Sequence, residues 1–235
     1  MTGILGRVSS EESMGLVDGP GIRYVVFLQG CKLRCVYCHN PETWDLVGNS
    51  KEVTPSELVG RICRYKNYFA NGGGVTFSGG EPLLQPEFLL ECLKLCKLNG
   101  IHTALDTAGV GFGKYEEILK YTDLVILDIK AVKEEDYKGI TGKSMARFNK
   151  FLNECQRLNV PLWLRQVIVP NLNDTKESVL LLKRFANSLK NVEKIELLPY
   201  KTLGIYKYKQ LNLPYRLKDV LDMDEDKCKE LEKLL

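Results

Sequence analysis

Histidine is almost missing from this chain of 235 residues, with His39 and His102 the only two. Imidazole therefore has little scope as a general acid or base here. Long apolar runs are missing too. No stretch reaches the length needed to span a bilayer, and the first residues lack the basic, apolar and small-residue order of a secretion signal. No membrane partner and a cytoplasmic location are the expectations. Nor is charge of one sign in excess: 33 Lys and Arg face 30 Asp and Glu, a net charge of +3. No Lys/Arg run is interleaved with aromatics, so nucleic acid is not an expected partner. Internal repeats, low-complexity tracts and long linkers are absent, and 1–235 reads as one domain.

What is present is an alternation of short apolar runs with longer amphipathic ones. Strands are expected at Tyr24–Gln29, Val75–Ser78, Thr103–Asp106, Leu124–Asp128, Leu162–Val169 and Lys194–Leu198. Helices are expected between and after them, over Pro55–Tyr68, Pro86–Asn99, Tyr115–Tyr121, Ser144–Asn159, Asp174–Leu189 and Asp224–Leu235. Thr54, Pro55 and Glu57 form a capping-box signature, and Asp174 precedes a Thr-Lys-Glu first turn. Strands alternating with helices pair in parallel through right-handed crossovers. Either an open doubly wound sheet or an incomplete barrel satisfies that pattern. In both, the working face lies at the carboxyl ends of the strands.

Cysteine is plentiful, at eight, but its distribution argues against a disulfide framework. Cys31, Cys35 and Cys38 crowd into one octapeptide directly after the first expected strand, while Cys63, Cys92, Cys96, Cys155 and Cys228 are scattered. Cys92 and Cys96 read as core residues of an apolar helix. A zinc site normally takes four protein ligands, and His39, adjacent to Cys38, is badly placed to be the fourth. Three soft thiolates on one tight loop suit an iron–sulfur cluster, with one iron left open for a substrate.

The C-x3-C-x2-C spacing, with Tyr37 directly before the third cysteine, resembles the motif of radical S-adenosylmethionine (SAM) enzymes. That resemblance implies a [4Fe-4S] cluster on Cys31, Cys35 and Cys38 whose open iron takes the amino and carboxylate groups of SAM. One electron then breaks a carbon–sulfur bond, and the resulting 5′-deoxyadenosyl radical abstracts hydrogen from a substrate. Gly79, Gly80 and Glu81 are similar to the family's Gly-Gly-Glu motif, with bare backbone and a negative charge for the methionyl ammonium. Tyr37 and His39 are assigned to the same cofactor site. Asp128, Ile129 and Lys130 end the fourth strand, Lys130 to pair with the methionyl carboxylate and Asp128 with ribose or ammonium. Asp106, Thr107 and Asp128 are candidates for a monovalent cation beside that carboxylate. Arg165, inside an apolar strand, needs a carboxylate of cofactor or protein if it faces inward.

A narrower resemblance covers nearly the whole chain. Val17 to Arg23, Cys38 to Trp44, Gly72 to Thr76 and Val192 to Tyr200 are together similar to the pyruvate formate-lyase activating family. The resemblance implies a partial (β/α)6 TIM-like barrel, the radical SAM fold. It implies a protein substrate, pyruvate formate-lyase, from whose glycine loop one backbone hydrogen is taken. Flavodoxin or ferredoxin is the implied electron donor. Asp18 is the candidate contact to the substrate peptide. No second cysteine cluster is present, unlike related activators with a ferredoxin-like insertion. One departure concerns Lys201, which stands where the family carries a histidine against adenine. Its aliphatic stem is the expected cover for the base.

Overall fold

A computed structural model of the protein describes residues 3–235. Eight strands form one sheet: β1 (Gly6–Gly15), β2 (Arg23–Leu28), β3 (Lys51–Val53), β4 (Gly74–Gly79), β5 (His102–Thr107), β6 (Leu124–Asp128), β7 (Leu162–Ile168) and β8 (Val192–Pro199). The helices are α1 (Pro55–Cys63), α2 (Pro86–Leu98), α3 (Tyr115–Leu119), α4 (Glu134–Thr141), α5 (Ala146–Leu158), α6 (Lys176–Asn187), α7 (Ile205–Gln210) and α8 (Glu225–Glu232).

The sheet order is β3-β1-β2-β4-β5-β6-β7-β8, and β2 with β4 to β8 run parallel. These six are the six expected strands. Their order never reverses, and a doubly wound sheet must reverse at its switch point. Successive right-handed crossovers therefore all wind the same way, as in a barrel. The barrel does not close, because β3 and β8 remain as edges. The partial barrel follows from topology alone.

Two strands were not anticipated. β1 lies antiparallel to both β2 and β3 and extends the sheet beyond the parallel set. Its Ser9-Ser10-Glu11-Glu12 centre shows no apolar alternation, and register shifts at both ends break the period of two. β3 is three residues long, too short to carry a pattern. The Thr54 box caps α1 as expected, with Glu57 N donating to Thr54 Oγ1 at 3.3 Å and Thr54 N to Glu57 Oε2 at 2.8 Å. The cap of α6 is Thr175 rather than Asp174, whose carboxylate instead accepts from Asn171 N at 2.8 Å and pairs with Lys227.

The inner parallel strands β4 to β7 bury both faces, which explains their largely apolar sequence, whereas edge strand β8 keeps Glu193 and Lys194 exposed. One face, with Phe77, Leu105, Val125, Leu127 and Leu164, packs under the helices in a single large core. Ala104, Leu124 and Ile126 form a small cluster with Trp163 on the other, inner face. The segment after β1 crosses that inner face. Val17 O accepts from Arg165, Asp18 O from Thr76 Oγ1 at 2.7 Å, and Pro20 O from Arg23 at 3.5 Å. Arg23, fully buried, also donates to Gly72 O at 3.0 Å and meets His102 Nδ1 at 3.2 Å, a structural role for that histidine.

Candidate active site

Side chains along a strand alternate faces, so the register decides which strand-end residues share a site. Phe27 lies beside Ser78, Asp106 beside Ile126, Asp128 beside Arg165, and Val167 beside Leu198. Counting by twos puts Phe27, Ser78, Asp106, Asp128, Val167 and Leu198 on the inner face at the carboxyl ends of the six parallel strands. All six line one cavity of about 450 Å³. Asp18 reaches the same cavity from the segment that crosses the inner face.

The cysteine loop forms the upper wall. It leaves β2 at Gly30, whose φ of +101° favours glycine and where a Cβ would lie 2.5 Å from Leu46. Backbone bonds then fix it on two sides. Cys31 N donates to Trp44 O at 3.1 Å, Arg34 N to Thr141 O at 2.9 Å, and Val36 N to Ile140 O at 3.0 Å. From α7, Tyr208 Oη donates to Cys38 O at 3.0 Å.

Cys31, Cys35 and Cys38 are half-buried and all line the cavity, together with Tyr37 and His39. Burial, reinforced by Glu81 and Cys35, pushes the Cys31 thiol up to about 12. Burial pushes Cys35 up to about 11, and raises Cys38 as well. Three thiolates here need a cationic group to form, which is what a metal supplies. Among the described residues no three His, Cys, Asp or Glu side chains converge on a single-ion site. The thiols are spread around a cavity instead, as suits a multi-atom cluster that binds each sulfur at a separate iron. The donor set fits an iron–sulfur group.

Below the loop, Gly79 and Gly80 are required by packing. Gly79 has φ +115°, and a Cβ there would meet Leu28 N at 2.2 Å; at Gly80 it would meet Gly30 O at 2.4 Å. The pair thus presses the β4 end against the start of the cysteine loop and lines the cavity with backbone. Lys130 and Asp128 form a 2.8 Å ion pair in the wall. Burial pulls the Lys130 ammonium down, but Asp128, Tyr37 and Cys35 outweigh it and hold it well above its ordinary value. Ser78 Oγ donates to Asp106 Oδ2 at 2.7 Å, and burial plus the charge of Asp128 pushes the Asp106 carboxyl up to about 7.

Four expected contacts stand outside the cavity wall. Glu81 is 1% exposed, and its carboxylate accepts from Thr107 Oγ1, from Leu83 N at 3.1 Å and from Ala108 N at 3.0 Å. Its charge knits the β4 and β5 exits together from behind the cavity lining. Ile129 is a core residue whose N–H donates to Arg165 O at 2.7 Å. Arg165 does face inward, and its partner is a protein carboxylate, Glu196 Oε2 at 3.0 Å. The Lys201 side chain turns to Glu225 at 2.6 Å, while its carbonyl meets His39 Nε2 at 2.8 Å. Phe27, Ser78 and Tyr200 line the cavity without having been singled out. Placement at a strand's carboxyl end, shared with Asp106 and Asp128, was the signal available for the first two.

A family model of the radical SAM superfamily matches residues 25–182, which run from β2 into α6. The chain belongs to that superfamily. A pyruvate formate-lyase-activating enzyme of Clostridium pasteurianum is 60% identical over 233 residues, spanning 99% of this chain and 98% of the relative. One from Staphylococcus epidermidis is 48% identical, over 96% of this chain and 93% of the relative. Within the superfamily the chain therefore falls in the pyruvate formate-lyase-activating family. Among solved structures, a domain of such an enzyme from Bacteroides vulgatus superposes with a TM-score of 0.55 at 27% identity, covering 70% of this chain and 93% of that one. A radical SAM methyltransferase from Sphaerobacter thermophilus shares the fold, with a TM-score of 0.63 at 13% identity over 99% of this chain and 74% of that one.

Proposed function

We propose that the protein activates pyruvate formate-lyase by removing one hydrogen atom from a backbone glycine of that enzyme, leaving a glycyl radical. The carrying observation is three thiols on the wall of one cavity at the carboxyl ends of six parallel strands, in a chain with 60% identity to an activating enzyme over nearly its full length. Cys31, Cys35 and Cys38 would hold a [4Fe-4S] cluster. When bound, that cluster supplies the electron that cleaves SAM to the 5′-deoxyadenosyl radical.

The chain's own residues bind, orient and shield. Lys130, already cationic and held by Asp128, offers charge to the methionyl carboxylate. Backbone at Gly79 and Gly80 and the rings of Tyr37 and His39 supply the rest of the SAM pocket. Phe27, Leu33, Val167 and Leu198 give it an apolar lining that keeps water from a reactive radical. Asp106 and Asp128 repel across the floor of the cavity and would gain from a monovalent cation between them. Thr107, on the same cavity wall, donates its hydroxyl proton to Glu81 and keeps an oxygen lone pair for that cation. Asp18, on the cavity wall beside the exposed Val17, is read as the contact to the incoming glycine loop. A flavodoxin or ferredoxin would bring the electron.

The test mixes the reconstituted, reduced protein with SAM and pyruvate formate-lyase without oxygen. A glycyl radical signal in electron paramagnetic resonance is expected. Its absence with an intact cluster and with SAM cleavage would remove pyruvate formate-lyase as substrate and favour another glycyl radical enzyme.

A further inference from the structure

Cys31 borders two cavities. The second, of about 440 Å³, shares no other lining residue with the first. Its wall carries Lys32, Arg34 and Lys143 against a single acid, Asp45. Leu46 in that wall is 44% exposed, and nearby Phe112 is 47% exposed. Lys32 lies over the Phe112 ring at 4.4 Å and Arg147 at 5.4 Å, which carries the positive charge beyond the cavity rim.

None of Lys32, Arg34, Lys143 and Arg147 makes an ion pair among the described residues. In a chain with 33 basic and 30 acidic residues, this grouping is a local feature rather than the average surface. Exposed apolar groups interspersed with charge of one sign suit a transient protein interface.

We propose that this face receives a small acidic electron-carrier protein, which passes its electron to the metal group by way of Cys31. The inference rests on the cluster assignment made above and adds the entry point. One electron leaves the carrier's reduced cofactor, which is oxidised by one equivalent, and the metal group gains it; no atom crosses. Cys31 is the only thiol of the three on both walls, so a carrier docked here approaches the cluster without entering the SAM cavity. Electron transfer weakens steeply with distance, and this face brings a carrier into contact with a ligating residue.

The experiment follows bleaching of the cluster in the reconstituted protein under anaerobic stopped flow, with reduced flavodoxin as the carrier. Photoreduced deazariboflavin, small and uncharged, serves as the comparison reductant. The variants are Lys32→Glu alone and Lys143→Glu with Arg147→Glu, the latter pair lying off the cysteine loop. We expect flavodoxin to reduce the unaltered protein at a rate that falls with salt, and each variant to react roughly 10-fold more slowly or worse. Deazariboflavin reduction and iron content should stay unchanged. Flavodoxin rates that ignore both the charge reversals and salt would overturn the docking face. So would failure of flavodoxin to reduce the unaltered protein. Failure to assemble any cluster, seen by iron and sulfide analysis before a carrier is added, would instead strike at the cluster assignment itself.

Discussion

Lys130 and Lys201 show how position outranks residue type. Both are lysines offered to the same cofactor by sequence, and both are paired with a carboxylate. Lys130 is on the cavity wall, its ammonium 2.8 Å from Asp128, with burial strengthening every interaction it makes. Lys201 is held by Glu225 outside the cavity wall. A charge-assisted bond in a dry site is worth more than one at the rim. Lys130→Met should therefore weaken SAM binding by roughly 10-fold or more at unchanged iron content, which corresponds to about 1.4 kcal/mol. Lys201→Ala should leave it within about twofold, inside the range of ordinary surface changes. Equilibrium dialysis of the loaded proteins separates the two, and equal losses would restore Lys201 to the adenine site. Glu81 makes the complementary point. Its sequence context promises a ligand charge, but four protein donors, the Thr107 hydroxyl and the N–H groups of Leu83, Ala108 and Val110, surround its carboxylate.

Among the elements, α7 does work that its length conceals. It is six residues, yet Tyr208 donates to Cys38 O at 3.0 Å and packs edge-on against Trp44 at 5.8 Å, while Lys207 bonds Asn40 Oδ1 at 2.8 Å. Two turns downstream of the sheet thus steady the third cysteine. Tyr208→Phe removes one half-buried hydrogen bond, a loss of about 1 kcal/mol. The cost should appear locally, as faster amide exchange across 201–215 and around Cys38, with the sheet amides unaffected. Most of the parallel strands were legible because two-sided burial writes itself as dense β-branched and leucine runs; edge strand β8, mostly unburied, showed itself only in its Ile195 to Leu198 end. The capping box of α1 was legible because its chemistry is local. What escaped was short or one-sided: β1 with its polar bulged centre, three-residue β3, α4 with an acidic first turn, and α7. Of the site, the strand-end acids and the cysteines were readable from spacing. The pairing of Arg165 with Glu196 and the turning away of Glu81 and Lys201 depend on register and on neighbours distant in sequence.

For the molecule as a whole, the question is whether the metal site holds the fold or the fold holds the metal site. In small zinc domains the metal is the core, and its removal unfolds the chain. Here the apolar core runs under α1 to α6 and is made without Cys31 or Cys38; Cys35 only touches its edge. The cysteine loop is fixed by backbone bonds to residues 44, 140 and 141 that need no metal. A stripped protein should therefore keep its far-ultraviolet dichroism and still unfold cooperatively, at a lower temperature because a ligand of the native state has been lost. Its thiols offer a direct count. Cys92, Cys96, Cys155 and Cys228 are buried, whereas Cys31, Cys35, Cys38 and Cys63 are half-buried. Alkylation under native conditions, read by mass spectrometry, should mark the three loop cysteines and Cys63 in the stripped protein. In the reconstituted protein it should mark Cys63 and spare the other three. Marking of Cys92 or Cys155 on stripping would mean that the sheet had opened, and that the cluster supports the barrel after all.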